Sequence, residues 1–218
     1  MTHISSTRVR KERAKGRSAY QVNLRQQTRA AILSGAARVF SQTPYVHATI
    51  DDLIRAANIS RATFYQHFES KLALAIEIYD GIGPNWRSHY EKLCDPQVRR
   101  PEGLRLWLDQ LVHMYTVHGY ISGLVLQLEL YEPSFRERLH ADRAGLIHHL
   151  GALKVPGFVE TLGDNPEARL QFARATLLMR TIAQVCTDAS AYLDVLGPEL
   201  TELELRAATE NLAAFIKC

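Results

Sequence analysis

The chain has 218 residues, 46% of them hydrophobic and 22% charged, which is enough apolar material for a small domain joined to a larger one. The longest apolar run, Ile121 to Tyr131, is broken by Gln127 and Glu129 and falls short of the roughly 18 residues of a membrane span, so no spanning helix is expected. Cys94, Cys186 and Cys218 are odd in number, far apart and without CxxC spacing; they predict neither a disulfide framework nor a zinc ribbon, and they suit a reducing cytoplasm.

The formal net charge of +3 conceals an asymmetry. Residues 1–71 hold 12 Lys/Arg against 4 Asp/Glu, a net of +8, whereas residues 72–218 hold 14 against 19, a net of −5. Polyanion binding is therefore expected in the first third of the chain. A solvated basic face is the plain alternative. The stretch RVRKERAKGR, residues 8–17, also has the composition of a transit peptide, but it lacks an apolar face.

In chain order, residues 1–20 carry many charges and almost no large apolar residues, and they read as a mobile, disordered basic arm. Arg8, Arg10, Lys11, Arg13, Lys15 and Arg17 in that arm can lie along phosphates or enter a minor groove. A first helix is predicted from Arg25, with Ile32, Ala36, Ala37, Val39 and Phe40 at helical spacing, stopped by Thr43-Pro44. Thr49 and Asp52 have the spacing of a capping box, opening a short second helix that ends at Asn58. Asn tolerates a left-handed backbone, and Ser60 supplies the N-cap of a third helix over 61–68. Ser70 can cap a fourth helix from Lys71, which Gly81, Gly83 and Pro84 should interrupt. Further helices are expected near 85–94, 102–118, 120–131, 134–153, 166–190 and 199–217, with Pro166 and Pro198 at first helical positions and Thr201 with Glu204 as an alternative cap for the last. No period-two alternation is sustained anywhere, so the fold class is all-α: a three-helix N-terminal domain over 21–80 and a larger helical domain over 81–218.

Two short helices joined by a three-residue turn, the second exposing small and polar residues, form the unit that places a helix in the major groove. Residues 49–68 fit it, with Leu53, Ile54, Ala57, Ile59, Phe64 and Phe68 holding the helices together and Arg61, Ala62, Thr63 and Gln66 left outward. Gln66 can pair with adenine and Arg61 with guanine, and the Thr63 methyl can meet thymine. A solvated surface charge is the alternative for Arg61.

Ala36, Ala37 and Phe40, then Thr49, Ala56, Ala57, Ile59 and Ser60, then Thr63, Tyr65, His67, Phe68 and Lys71 follow a known order and spacing. Over residues 25–75 the chain resembles the TetR family of transcriptional regulators. It departs from the family pattern at Asn58, where a turn glycine is usual, and at Thr43-Pro44-Tyr45, in place of a glycine-containing loop. The resemblance implies a homodimer with an N-terminal helix-turn-helix and a C-terminal domain for dimerisation and ligand sensing. It also implies that Thr49, Tyr65, His67 and Lys71 contact phosphates, for which hydroxyls, an imidazole and an ammonium are suited. Local packing is the alternative for Tyr65 and His67.

In the C-terminal part, Leu170, Ala173, Leu177 and Leu178, with Leu205, Ala208, Leu212 and Phe215, provide apolar stripes for dimerisation or, equally, for an internal core. Trp86, Tyr90, Trp107, Tyr115, His118, Gln127 and Tyr131 are the candidate lining of an effector site. Gln127 and Glu129 project roughly 160° apart, so at least one should face inward, toward a ligand or an internal hydrogen-bond partner. The usual hydrolase, nucleotide and metalloprotease motifs are missing from the sequence, so no enzyme activity, cofactor or metal is expected. The expected function is sequence-specific regulation of transcription on a palindromic operator of double-stranded DNA, as a repressor released by a small molecule. The alternatives are an activator and a ligand-independent architectural DNA binder.

Overall fold

The computed structural model describes the backbone of residues 5–191 and 197–216, with side chains from residue 20 onward within those ranges. Every regular element among them is helical: α1 (Ser5–Gln42), α2 (Ile50–Ala57), α3 (Arg61–His67), α4 (Lys71–Glu91), α5 (Pro101–Val117), α6 (Gly119–Tyr131), α7 (Pro133–Ala152), α8 (Pro166–Ala191) and α9 (Pro198–Phe215), with single 3-10 turns at Lys92–Cys94 and Val159–Thr161. The chain divides into two compact units between Ile78 and Tyr79. None of the described helices is long and apolar enough to cross a membrane.

In the first unit, α1 begins at Ser5 rather than Arg25, so its backbone is helical through most of the segment read as an arm. Arg, Lys, Glu and Ala, all strong helix formers, fill that stretch. The basic side chains from Arg8 to Arg17 lie outside the described residues. Packing starts later, with Ile32, Ala36 and Phe40 buried on one face of α1. Gly35 lies on the same face, and a Cβ there would come within 2.9 Å of the Ala57 nitrogen, so only glycine lets α1 and α2 approach this closely. The Thr49 and Asp52 capping box forms as expected, and Leu53 is fully buried behind it.

The turn after α2 has Asn58 at φ 52° and ψ 52°. The Asn58 N–H donates to the Arg55 carbonyl and the Ile59 N–H to the Ile54 carbonyl, both at 3.2 Å, the paired bonds of a Schellman closure. Asn is the side-chain-bearing residue that best tolerates this left-handed position. Ser60 Oγ then accepts from the Thr63 N–H at 3.0 Å to open α3, and Ser70 Oγ accepts from the Ala73 N–H at 3.0 Å to open α4.

Helix α4 is not interrupted at Gly81–Pro84 but runs on to Glu91 with Pro84 inside it. The expected break does not occur: the lost hydrogen bond and the ring's clash with the preceding turn at Pro84 are outweighed by the packing of the flanking turns at Ile78, His89 and Tyr90.

In the second unit, α5 is central, packing against α8 and α9, which also pack on each other. Trp107 anchors it. The indole Nε1 donates to the His89 carbonyl and His89 Nε2 donates to the Trp107 carbonyl, each at 2.9 Å, with the rings 4.9 Å apart and 24° from parallel. Arg105 ties α5 to α9 through a two-pronged contact with Glu202 at 2.5 and 2.7 Å. Gly157, at φ 80°, lies where a Cβ would overlap the Phe215 carbonyl, so the loop before α8 can close on the end of α9. Asn165 caps α8 through the Ala168 N–H at 2.8 Å. The alternative cap at Thr201 is not used: α9 starts at Pro198, and the buried Thr201 hydroxyl donates back to the Gly197 carbonyl.

Burial pulls the His89 imidazole down from 6.5 to about 4, against the smaller opposing effect of its bond to Trp107. Between these values the unfolded chain takes up a proton that the folded chain refuses. Stability is therefore expected to fall as pH drops from 6.5 toward 4, by up to about 1.4 kcal/mol per pH unit. Urea unfolding across this range should show a slope that His89→Gln flattens. Parallel slopes in the two proteins would remove His89 as the cause.

Candidate nucleic-acid interface and effector cavity

The two short helices of the first unit are held so that one face of α3 is free. Phe64 is fully buried and Phe68 nearly so, while Arg61, Ala62, Tyr65 and Gln66 are exposed and Thr63 is half-buried. The turn geometry sets this division, since the caps at Asn58 and Ser60 fix where α3 starts and hence which residues its apolar side takes inward.

Several expected contact residues are already engaged in shaping the unit. Thr49 accepts the Asp52 N–H and donates its hydroxyl to the Asp52 carboxylate at 2.6 Å, which holds that carboxyl below its usual range. The Thr63 and Ser60 hydroxyls are 2.8 Å apart. Arg61 pairs with Asp51 at 2.9 Å, joining α3 to α2, but both side chains are largely exposed and the pair is weak enough to be exchanged for a stronger acceptor.

His67 is half-buried at the end of α3, with Nδ1 buried and lacking a hydrogen-bond partner. Desolvation first, then the charges of Arg25 and Arg29, lower its pKa, so the neutral imidazole prevails. Lys71 departs furthest from expectation. Its ammonium donates to the Tyr45 carbonyl at 2.7 Å and the Ala48 carbonyl at 2.8 Å, and it sits 4.2 Å from the centre of the Tyr45 ring. It closes the loop that leads into α2.

Arg29 and Arg38 were not singled out by sequence reasoning. Arg29 pairs with both carboxylate oxygens of Glu77, donates to the His67 carbonyl at 2.9 Å and lies 4.4 Å from the Phe68 ring centre. Arg38 donates to the Ala56 carbonyl at 2.6 Å, linking α1 to the end of α2. Arg25 and Arg29 stand four apart on α1, on the side toward α3, and that spacing was the only sequence signal for either.

The second unit contains a cavity of about 740 Å3, walled by α4, α6, α7 and α8 with Tyr115 from the end of α5. Of the seven expected lining residues, Trp86, Tyr90, Tyr115 and His118 face it; Trp107, Gln127 and Tyr131 do not. Trp107 is consumed by the core and its bonds to His89. Gln127 turns back along its own helix to the Gly123 carbonyl at 3.2 Å, and Tyr131 is 58% exposed. Glu129, on the far side of α6 from Gln127, lines the cavity in its place. Burial raises the pKa of Tyr90 and Tyr115, so both hydroxyls stay protonated as donors. Cys186 is buried and pushed up to about 12, which makes it an inert thiol.

The expected dimer stripes separate into two groups. Leu205, Ala208 and Leu212 are core, as is Leu178, and Phe215 packs edge-on against Phe158. Leu170, Ala173 and Leu177 on α8 are exposed, and so are Leu200, Leu203, Ala207 and Ala214 on α9, which recur at helical spacing opposite the core face.

A helix-turn-helix with a polar outer face has the form of a DNA-reading unit, and the unit that follows it is helical and contains a cavity. Residues 32–78 match the bacterial regulatory proteins of the tetR family. That match covers the helix-turn-helix unit and not the helices that follow it. It is 29% identical over 138 residues to the HTH-type transcriptional regulator EthR of Mycolicibacterium smegmatis (strain ATCC 700084 / mc(2)155), a match spanning 63% of this chain and 61% of that protein. The chain thus spans about three fifths of the length of the curated relative it matches. Its fold is similar to that of the fatty acid degradation regulator FadR from Bacillus halodurans, with TM-score 0.61 and 17% identity over 85% of this chain and 94% of that one. It is also similar to NalD, the secondary repressor of the MexAB-OprM multidrug efflux pump in Pseudomonas aeruginosa, with TM-score 0.54 and 18% identity over 85% and 95% of the two chains.

The geometry at Lys71 gives a direct test of its role. Lys71→Met keeps most of the aliphatic stem and deletes two charge-assisted bonds, so it is expected to lower the unfolding free energy by about 1 to 3 kcal/mol while leaving the salt dependence of DNA binding unchanged. Unchanged stability with a salt slope smaller by about one would return Lys71 to a phosphate contact.

Proposed function

We propose that the chain is a cytoplasmic repressor that grips a palindromic operator as a homodimer and is released when a small molecule fills the cavity of its second unit. The observation that carries the DNA-binding part is the outer face of α3, where Arg61, Ala62, Tyr65 and Gln66 are exposed on a helix whose other face is locked into the unit. Tyr65 and Gln66 divide the work. The Tyr65 hydroxyl suits a phosphate and fixes register, and the Gln66 amide suits the edge of adenine and selects sequence. Thr49, Thr63 and the neutral His67 N–H add phosphate contacts at the rim, and Arg61 exchanges Asp51 for the nucleic acid.

Homodimerisation follows from the economy of recognition, since one α3 covers only a few base pairs and two copies about 34 Å apart cover a palindrome. The exposed apolar faces of α8 and α9 supply the surface. Release is supported by the cavity and by the course of α4, which starts at Lys71 and contributes Tyr79 to Glu91 to the cavity wall. An occupant that shifts α4 acts on a helix whose first turn belongs to the reading head. A ligand that weakens operator binding must itself be weakened by the operator to the same degree.

On footprinted operator fragments, Tyr65→Phe is expected to lower affinity for all sequences alike, and Gln66→Ala to relax the preference at one position of each half-site. Loss of specificity to the same extent in both variants would reject this division. In a separate measurement, Leu177→Glu combined with Leu203→Glu should yield a helical monomer by light scattering. A dimer surviving both charges would move the interface elsewhere.

A further inference from the structure

Among the cationic side chains that line the cavity, Arg143 stands apart. It sits on α7 with Leu139, Asp142 and Leu146, the i, i+3, i+4 and i+7 positions that face the cavity. Its Nη1 is buried and has no hydrogen-bond partner, a costly state for a guanidinium that ought to give up five N–H donors. The nearby carboxylates do not answer it. Asp80 and Asp142 are taken by Arg138, at 2.5 and 3.6 Å, and Glu91 by His149 at 2.7 Å. The groups that do feel the Arg143 charge are the hydroxyls of Tyr90 and Tyr115, which it draws downward against a larger rise from burial. Both phenols stay protonated. The Trp86 ring lies against that of Tyr115, with centroids 5.3 Å apart, and both line the cavity. Around this polar corner the wall is apolar, formed by Ile82, Ile121, Val125, Leu126 and Met179.

We propose that the occupant of this cavity is an amphiphilic carboxylate, its anionic group received by Arg143 with Tyr90 and Tyr115 as flanking donors and its apolar body laid against α6 and α8. The inference rests on the reading of the cavity as an effector site. A carboxylate supplies the acceptor that Nη1 lacks once the guanidinium turns toward it, and the fork of Arg suits a two-oxygen acceptor better than any single hydroxyl. The apolar lining supplies the rest of the affinity without selecting a head group.

The experiment is calorimetric titration of the full chain with two matched sets of probes: naphthylacetate, naphthylethanol and naphthylethylamine, and decanoate, decanol and decylamine. The acid of at least one set should bind about tenfold or more tightly than its alcohol and amine, and Arg143→Met should reduce the acid to the level of the alcohol without altering the alcohol. Because Nη1 is buried without a partner and no ion pair ties Arg143 to the described residues, Arg143→Met should also leave the thermal midpoint of the free protein unchanged or raise it. A marked fall in that midpoint would show Arg143 to be a structural residue and overturn the proposal. Alcohols binding as tightly as acids, or Arg143→Met weakening all probes alike, would overturn the anionic head group while leaving the effector cavity in place. Failure of all six probes to bind would overturn both.

Discussion

The first unit depends on the guanidinium of Arg29. It reaches from α1 to the Glu77 carboxylate on α4 and to the His67 carbonyl at the end of α3, with the Phe68 ring against its face. Three helices are thereby fixed by one planar group. Only Arg has the spread of donors to meet a carboxylate with two nitrogens and still reach a carbonyl with a third bond. The end of α3 cannot drift without losing the Arg29 bond to the His67 carbonyl while Glu77 holds the guanidinium in place, so the orientation of the reading face follows from a contact at the end of the helix. Lys71 and Arg38 do related work, each meeting carbonyls that the short helices and loops would otherwise leave open.

This arrangement explains why a helix of seven residues can serve as a recognition element at all. Alone it is too short to be stable. Its start is set by the Ser60 cap, its end by Arg29, and its inner face by Phe64, so it presents a fixed row of side chains. Tyr65 and Gln66 can then have distinct roles, because neither is needed for packing.

The second unit solves a different problem. A helical bundle closes its core by filling it, yet here a cavity persists beside a well-packed centre. The Trp107 and His89 pair fills the space between α4 and α5 and meets its own polar needs. Nearer the start of α4, Gly81 and Gly83 carry no side chain, and Gly83 and Pro84 lie on the cavity wall. The residues that looked on sequence grounds like a helix break therefore open room within a continuous helix.

Much of the fold was legible because it is decided within a few residues along the chain. The Thr49, Ser60 and Ser70 caps, the left-handed Asn58, Pro at the start of α8 and α9, and the ends of α5 to α9 to within two residues all follow from local backbone chemistry; the start of α1, twenty residues early, and the helix expected at 85–94, which is the end of α4, do not. The interruption expected at Gly81–Pro84 did not occur, because packing of the neighbouring turns outweighs the lost hydrogen bond and the steric clash of the proline ring. The outward face of α3 was legible as well, from which residues are apolar. What each polar side chain meets was not. Lys71 finds carbonyls 23 and 26 residues away, Arg29 a carboxylate 48 away and Arg105 one 97 away, and nothing in a local pattern encodes such partners. For the same reason Trp107 proved to be core, Gln127 turned back on its own helix, and Arg143 emerged on the cavity wall. The sequence by itself determined the helices, their caps and the reading face, through interactions a turn or so long. Only the tertiary structure decided which charges are spent inside the fold and which remain for a ligand, because that depends on atoms brought together from distant parts of the chain.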